Sequence, residues 1–331
     1  MALAARASTS LSTNGVLGSR DRKTGFAMNF ELSEDQHSIV DGVARLLDAF
    51  DRQPPHTAGF AFYAPDVDAA LAESGFLDIA REEGFGPLDG ALIVEAVARY
   101  PRTVEAAATI LIAPALGIAP GLRPIALATR IDAAARYLPM AKLLLVLDAD
   151  DVRLVEVPEG GVDTVETLFA YPYGKLKEPA AAKVTRLGAE AATTLARRWR
   201  LAIAAEAAGC MQAALDIVLD HVKTRVAFGK PLGAQQAVQH RLAMAAETVH
   251  STKWLAFHAA YTDDETDCAT ACAFAQDRIP QFTYDLHQFS GAMGLTLEYP
   301  LHHWTYRLRA LLGELGGSSA QARAAAQAAW A

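Results

Sequence analysis

Four long helical patterns in the second half of the chain constrain its fold more than any other feature of the sequence. Apolar residues and alanines recur at helical spacing over roughly Ala189–Thr224, Gln235–Tyr261, Glu265–Ser290 and Pro300–Leu312. Helices of this number and length predict an up-down bundle, which an alanine-rich tail follows. Pro280 lies inside the third pattern, and an internal proline kinks or divides a helix. We therefore expect a C-terminal helical bundle over residues 188–331.

Length and charge limit the classes of function. The chain has 331 residues, more than one hydrophobic core usually supports, so two or three domains are expected. Its formal net charge is −8 and its basic residues form no cluster, which argues against nucleic acid as the main partner. Because no run of 18 apolar residues occurs, we also expect no membrane span.

Two pairs of residues that could suggest a metal are better explained without one. Cys268 and Cys272 lie four apart in a helical pattern, and no suitable further ligands accompany them. His302 and His303 lack a third ligand, so we interpret them as interface or surface residues. The chain has three cysteines, Cys210, Cys268 and Cys272. This small number suits a reducing compartment and favours a cytoplasmic location.

The N-terminal segment, residues 1–27, differs in composition from the remainder of the chain. It is rich in Ser, Thr, Gly and Arg and has no apolar period, so we expect a disordered extension. A transit-type leader is an alternative, because Asp21 is its only acidic residue. A start codon chosen upstream of the true one is another.

The rest of the first half divides into a helical and a β-rich part. Residues 28–122 predict a helical domain, which opens with a capping box from Ser33 to Gln36 and includes a helix from about Pro101 to Leu116. Residues 123–187 contain runs of β-branched and aliphatic residues between Asp, Gly and Pro turns. Such runs predict a small β-domain of about 60 residues.

Two short motifs occupy the ends of the long helical patterns. Arg225-Val226-Ala227-Phe228-Gly229 follows the first pattern, shortly before Gln235-Gln236. Gln288-Phe289-Ser290-Gly291-Ala292-Met293-Gly294 ends the third pattern, about 60 residues later. The pair resembles the C-terminal domain of the acyl-CoA dehydrogenases, where R-x-x-F-G and Q-x-x-G-x-x-G hold the ADP half of FAD at a subunit interface. The resemblance implies a mostly α fold with an N-terminal helical domain, a reduced middle β-domain and a C-terminal four-helix bundle.

The resemblance also implies FAD as the cofactor and gives six residues a role in binding it. Arg225 would pair with the pyrophosphate, because a guanidinium suits bidentate phosphate contact. Phe228 would pack on the adenine or dimethylbenzene side. Two glutamines would donate or accept hydrogen bonds at the ADP part, and two glycines would let the backbone approach closely: Gln236, Gln288, Gly291 and Gly294. The alternative is that these residues form only a helix end and a glycine turn.

Both positions at which relatives carry their catalytic base are occupied by other residues. An acyl-CoA dehydrogenase removes an α-proton with a glutamate while the flavin accepts the β-hydride. One family position lies on the long helix before R-x-x-F-G and corresponds to about Trp199. The other lies near the C-terminus and corresponds to Leu315 in Gly313–Gly317.

Two nearby carboxylates are candidates for the missing base. Glu206 lies two helical turns after Trp199 on nearly the same face, where burial would raise its pKa as a base requires. The alternative for Glu206 is an ion pair with an arginine such as Arg200 or Arg225. Glu314 lies one residue before the second family position, and its alternative is a solvated loop residue.

The combined pattern is similar to one subgroup, the heteromeric (α2β2) bacterial acyl-CoA dehydrogenases of steroid side-chain degradation. There one subunit carries the base and the other lends its FAD-binding motifs. Full-length relatives have a longer β-domain with a Thr-Glu-Pro stretch and a tryptophan-containing strand at the flavin ring, and residues 123–187 contain neither. We therefore expect an FAD-dependent acyl-CoA dehydrogenase subunit that contributes FAD-binding residues to a catalytic partner.

Two other functions remain open: a self-sufficient acyl-CoA dehydrogenase that uses Glu206 or Glu314, and a non-catalytic scaffold on the same fold. The partners that the resemblance implies are an acyl-CoA thioester, a second acyl-CoA dehydrogenase-like subunit or a second copy of this chain, and an electron-transfer flavoprotein or similar acceptor.

Overall fold

The computed structural model describes residues 31–50, 52, 60–227 and 229–330, and the expected extension over residues 1–27 lies outside them. The helices are α1 (Glu34–Asp48), α2 (Pro65–Glu73), α3 (Pro87–Ala98), α4 (Ala189–Thr224), α5 (Gln236–Thr262), α6 (Glu265–Ser290), α7 (His302–Gly313) and α8 (Gly317–Trp330). The strands are β1 (Ile125–Ala128), β2 (Ala135–Arg136), β3 (Leu143–Asp148), β4 (Asp151–Glu156), β5 (Val162–Val165), β6 (Tyr173–Leu176), β7 (Val184–Arg186), β8 (Val226–Ala227) and β9 (Lys230–Pro231).

The first helix begins at the capping box that the sequence contains. The Gln36 backbone N–H donates to Ser33 Oγ over 3.2 Å, and the Ser33 N–H donates to Gln36 Oε1 over 3.1 Å. This exchange satisfies two backbone donors that a helix start leaves free. The apolar face of α1 then buries Ile39, Val43 and Leu47, and α1 packs against α3.

The segment after α3 is less regular than its apolar pattern predicts. In place of the predicted helix from Pro101 to Leu116, it forms one π turn (Ala108–Ile112) and one 3-10 turn (Pro114–Leu116). The buried Glu105 carboxylate accepts hydrogen bonds from the Ala108 and Thr109 backbone N–H groups and so caps the start of the π turn. Pro114 has no N–H to extend the π turn.

The middle segment folds into two small sheets. In one, the strand order is β1-β3-β4-β7, with β1 parallel to β3 and the other neighbours antiparallel. In the other, the antiparallel order is β2-β6-β5. Leu143, Leu145 and Val152 pack on the bundle side of the first sheet, in one apolar core with α4. The second sheet places Arg136, the last residue of β2, at the side of that helix.

Helix α4 is the centre of the bundle, where it packs against α3, α5, α6 and α7. Among the described residues it is the one helix long and apolar enough to cross a membrane, but 83% of its most apolar window is buried inside the protein. We therefore assign it as a core helix. Helix α6 continues through Pro280 as a single element, so the proline does not divide it. The predicted fold class, mostly α with a small β-region and a C-terminal helical domain, is confirmed.

The packing of α3 on α4 depends on Gly209. A Cβ atom at this position would lie 2.1 Å from the Glu95 carbonyl oxygen and 2.7 Å from Ala98 Cβ. The two backbones therefore approach more closely than any side chain at residue 209 would allow. Cys210, the next residue, lies with its Sγ 3.7 Å from the Ala98 carbonyl oxygen and completes the contact.

We predict that Gly209→Ala separates α3 from α4 and lowers the free energy of unfolding by about 1–3 kcal/mol, the usual cost of overpacking. Gly313→Ala is the matched control, because a Cβ there meets no atom within 4 Å. The measurement is urea unfolding of both variants. Equal stability of the two variants would show that the close approach is unimportant.

Candidate functional site

A buried ion cluster joins the β-region to the helical bundle. Arg136 Nη1 lies 2.6 Å from Glu206 Oε2, and Arg136 Nε lies 2.7 Å from Glu314 Oε1. Arg136 comes from β2, Glu206 from the middle of α4, and Glu314 from the turn between α7 and α8. The two carboxylates proposed as bases thus lie at one place and share one guanidinium.

Three further side chains complete the contacts of the two carboxylates. Tyr171 donates to Glu206 Oε1 over 2.7 Å, and Arg307 Nη2 lies 3.8 Å from the same oxygen. Arg307 is held in turn by the Tyr100 carbonyl oxygen, to which it donates over 2.9 Å. Trp199 Nε1 donates to Glu314 Oε2 over 2.6 Å. Every oxygen of Glu206 and Glu314 therefore has a donor, as buried carboxylates require.

The pKa values of the two carboxyl groups shift in opposite directions. Burial raises the pKa of Glu206, but the charges of Arg136 and Arg307 and the Tyr171 hydrogen bond outweigh it, so the net pKa is lowered. Burial also raises the pKa of Glu314, where Arg136 and Trp199 only partly oppose it and the charge of Glu206 adds to it. Glu206 is thus the ionised partner of the pair, and Glu314 has the stronger tendency to hold a proton.

The space beside the cluster is small. A cavity lined by Glu105, Ile125, Arg136, Tyr137 and Glu206 has a volume of ≈ 10 Å³, which is about the size of one water molecule. A general base must reach the proton that it removes to within hydrogen-bond distance. In this arrangement Glu206 and Glu314 contact protein donors instead, so the cluster acts as a structural unit.

The surroundings of Glu206 and Glu314 differ from the alternatives that the sequence suggested for each residue. Glu206 pairs with Arg136 and Arg307, whereas Arg200 binds Glu265 and Gln321. Glu314 is not a solvated loop residue, since its side chain is only 14% exposed. Sequence reasoning missed Arg136. Its one visible signal is a lone arginine between three alanines and Tyr137-Leu138 in an otherwise apolar stretch.

A second group of predicted site residues lies at one end of the bundle. The end of α4, the start of α5 and the end of α6 meet there, because consecutive helices run antiparallel. Arg241 of α5 forms an ion pair with Asp285 of α6, with Nε and Oδ2 3.2 Å apart. Tyr299 donates to the Ile217 carbonyl oxygen over 3.1 Å and so holds the segment after α6 to α4.

The topology therefore brings together five of the six predicted cofactor-binding residues: Arg225, Gln236, Gln288, Gly291 and Gly294. Arg225, Gln236 and Gln288 are exposed, and Arg225 has no acidic partner among the residues that the structure describes. Phe228 lies outside the described residues. An exposed guanidinium and two amides form a donor set suited to a phosphate-containing ligand.

The glycine turn after α6 requires glycine at two positions. Gly291 has φ 60° and ψ −145°, which side chains disfavour. At Gly294 a Cβ would lie 2.7 Å from Ser290 Cβ. Large apolar side chains are exposed beside this turn and beside Arg225: Leu295 is 81%, Leu297 67% and Val226 60% exposed. These three side chains leave apolar area in contact with solvent beside the polar groups of the bundle end.

The histidine pair is buried rather than exposed. His302 and His303 are 5% and 6% exposed and pack against Phe62, with ring centroids 6.0 and 5.0 Å away. Burial lowers the pKa of His303 to about 3, so its ring is neutral. Among the described residues no group of three or more His, Cys, Asp or Glu side chains could hold a metal ion.

Comparisons with known proteins agree with this architecture. The acyl-CoA dehydrogenase C-terminal domain family matches residues 187–329. The ChsE4–ChsE5 complex of Mycobacterium tuberculosis has a chain that superposes with a TM-score of 0.75 at 21% identity, over 91% of this chain and 98% of that one. The structure of a variant of the Tcur3481–Tcur3483 steroid acyl-CoA dehydrogenase (ACAD) superposes with a TM-score of 0.76 at 20% identity, over 90% of this chain and 98% of that one.

A Bacillus subtilis acyl-CoA dehydrogenase is 33% identical over 107 residues, which cover 31% of this chain and 28% of that protein. The chain thus spans less than a third of the length of this relative. The described chain has the acyl-CoA dehydrogenase fold. Residues 187–329 match the acyl-CoA dehydrogenase C-terminal domain, which confirms the predicted resemblance.

We predict that Arg136→Met lowers the free energy of unfolding by about 3–5 kcal/mol, because it leaves Glu206 and Glu314 buried without their shared cation. The measurement is urea unfolding at pH 7. Arg130→Met is the control, since the Arg130–Asp132 pair is exposed. If both substitutions have the same small effect, the cluster does not hold the two regions together.

We predict a pH-dependent stability difference between the wild-type protein and Glu206→Gln. Because the folded-state pKa of Glu206 lies below its ordinary value of 4.5, its ionised form contributes stability above pH 4.5 that is lost as the pH falls below it. The stability advantage of the wild type should therefore be full at pH 7 and shrink below pH 4.5. Glu156→Gln, at an exposed position on β4, is the control. A difference that grows on acidification would contradict the assignment.

Proposed function

We propose that this chain is a subunit of an FAD-dependent acyl-CoA dehydrogenase that contributes FAD-binding residues to a catalytic partner subunit. The proposal depends on the different exposure of the candidate bases and of the candidate cofactor-binding residues. Both candidate bases, Glu206 and Glu314, are bound by Arg136 in the interior. By contrast, Arg225, Gln236 and Gln288, which correspond to the family's ADP-binding motifs, are exposed at the bundle end.

The interior of the chain does not suit α,β-dehydrogenation by this chain alone. The reaction needs a free carboxylate beside the α-carbon of an acyl-CoA thioester, while FAD, when bound, accepts the hydride. Here the carboxylates already accept hydrogen bonds from Arg136, Tyr171 and Trp199. The cavity beside Glu206 has no room for an acyl chain. We assign the base and most contacts to the flavin ring to the partner subunit.

The bundle end fits the ADP half of FAD by the chemistry of its donors. Arg225 offers two parallel N–H donors to a pyrophosphate, and its lack of an acidic partner among the described residues leaves them available. Gln236 and Gln288 each offer an amide donor and acceptor to the ADP part. Gly291 lets the backbone approach closely, and Phe228 is the aromatic residue that would pack beside the cofactor.

The exposed side chains beside this end support a partner subunit there. Val226, Leu295 and Leu297 would be removed from water when a second chain covers the cofactor. The ChsE4–ChsE5 complex, which contains a similar chain, supports a second acyl-CoA dehydrogenase-like subunit, and we propose an α2β2 assembly. The steroid ACAD relative favours a steroid side-chain CoA thioester as substrate. We propose an electron-transfer flavoprotein or similar acceptor and a cytoplasmic location.

One observation favours the self-sufficient alternative. The pKa of Glu314 is raised by burial, and a base that works near neutral pH needs such a shift. Catalysis by Glu314 would require Arg136 and Trp199 to release it, at the cost of two buried hydrogen bonds. The half-site proposal requires no such rearrangement.

We predict that the chain purified alone has no flavin absorbance, and that the complex purified after co-expression with its catalytic partner has it. In that complex Arg225→Ala should remove most of the flavin and Arg225→Lys should retain part of it, because lysine keeps the charge but not the bidentate geometry. Arg323→Ala, an exposed arginine on α8, is the matched control. The measurements are the visible spectrum and the FAD content per complex.

Two outcomes would overturn the proposal. If the lone chain is yellow and bleaches with an acyl-CoA, it is self-sufficient, and Glu314→Gln and Glu206→Gln then identify the base. If Arg225→Ala leaves the flavin of the complex unchanged, the bundle end does not bind the cofactor.

A further inference from the structure

One residue holds both ends of the glycine turn that follows α6. The Gly291 backbone N–H donates to the carbonyl oxygens of His287 and Gln288, which closes the helix. The His287 side chain reaches the other end of the turn, where Nδ1 lies 3.0 Å from the Gly294 carbonyl oxygen. The backbone of His287 thus fixes the entry of the turn and its ring fixes the exit.

The same ring is anchored to the next helix. His287 Nε2 lies 3.0 Å from Thr305 Oγ1, and Thr305 is a buried residue of α7. Thr305 Oγ1 also lies 3.2 Å from the Leu301 carbonyl oxygen. The position of the turn relative to α7 therefore depends on this imidazole, which bridges the two elements.

The hydrogen bonds determine the form of the ring. A carbonyl oxygen can only accept, so Nδ1 must carry a proton and donate to Gly294. Burial lowers the pKa of His287, and the nearby charge of Arg309 adds to this, so the ring is neutral near pH 7. Nε2 then accepts a hydrogen bond from the Thr305 hydroxyl, whose single proton is shared with the Leu301 carbonyl oxygen. The donor that matters for the turn is Nδ1–H.

Two of the four residues of the turn, Gly291 and Gly294, are glycines and have no side chain that could limit their conformation. Gly291 adopts a backbone conformation that side chains disfavour, and a Cβ at Gly294 would meet Ser290. Glycines lose more conformational freedom on ordering than other residues, so a contact from outside the turn helps to hold one conformation. His287 supplies that contact one residue before Gln288.

We propose that His287 is a positioning residue for cofactor binding: its Nδ1–H holds the Gly294 carbonyl, and its Nε2 ties the turn to Thr305. The inference rests on the proposed function, because it takes the bundle end as the ADP-binding half-site. His287 is not itself placed against the cofactor. It acts by keeping the turn in the conformation that the cofactor needs, which lowers the cost of ordering the turn on binding.

The test is FAD titration of the deflavinated complex of this chain with its catalytic partner, with three substitutions of His287. Asn places an amide N–H where Nδ1 lies, one bond beyond Cγ, so His287→Asn keeps the donor to Gly294. His287→Gln places its amide one bond further out, and His287→Leu removes the donor. We expect about tenfold weaker FAD binding for Gln and Leu, since a hydrogen bond of ordinary strength is lost, and affinity near wild type for Asn.

Thr305→Val tests the contact of Nε2 with α7 separately from the hydrogen bond that Nδ1 donates to Gly294. It keeps the shape of the buried residue and removes the hydroxyl that holds Nε2, and we expect a weakening of FAD binding smaller than that of His287→Leu. Thermal unfolding of the flavin-free complexes provides the second measurement. A purely structural role would lower the stability of all four variants without separating Asn from Gln in FAD affinity.

The outcomes distinguish the two proposals. If Arg225→Ala weakens FAD binding but His287→Leu and His287→Gln bind FAD like the wild type, the half-site stands and the role of His287 is wrong. Equal losses for Asn and Leu would also contradict it, because the retained donor would then have no effect. If Arg225→Ala has no effect on FAD binding, the proposed function itself fails.

Discussion

Arg136 is the residue on which the interior of this protein depends. Two carboxylates from separate elements, Glu206 and Glu314, are buried side by side, and Arg136 is the one cation among the described residues that forms an ion pair with both of them. The guanidinium comes from a two-residue strand, so its contacts also fix how the small sheet sits on α4 and on the turn after α7. The result is an ionic layer across the middle of the fold.

The middle and the end of the long helix α4 have different surroundings. At its middle, α4 faces Arg136 and has no space for a substrate. At its end, the chain turns outward and presents Arg225, Gln236 and Gln288 to solvent on elements that the Arg241–Asp285 pair and Tyr299 hold in place. Rigid presentation of polar groups reduces the entropy that is lost on binding. A chain built in this way is suited to complete a site on another protein.

The features that could be predicted correctly from the sequence are those that local patterns of residues encode. Helical periodicity gave α4 and α6, and the Ser33–Gln36 capping box gave the start of α1, because each signal lies within a few residues. The motifs near Arg225 and Gln288 could be placed at one end of a bundle for the same reason. The partner of Glu206 could not be predicted: Arg136 is 70 residues away and lies in a different kind of element. Long-range ion pairs leave no periodic signal, and neither do caps such as Glu105.

The apolar character of α4 has a consequence for the synthesis of the protein. The helix is as apolar as a membrane span, and α5 and α6, which cover much of it, come later in the chain. In a nascent chain that ends near residue 224, the faces of α4 that α5 and α6 later cover therefore stay exposed until about 65 further residues have left the ribosome. Products truncated near residue 224 should be retained by chaperones or aggregate. Products truncated after α6 should do so less, because α5 and α6 then cover α4.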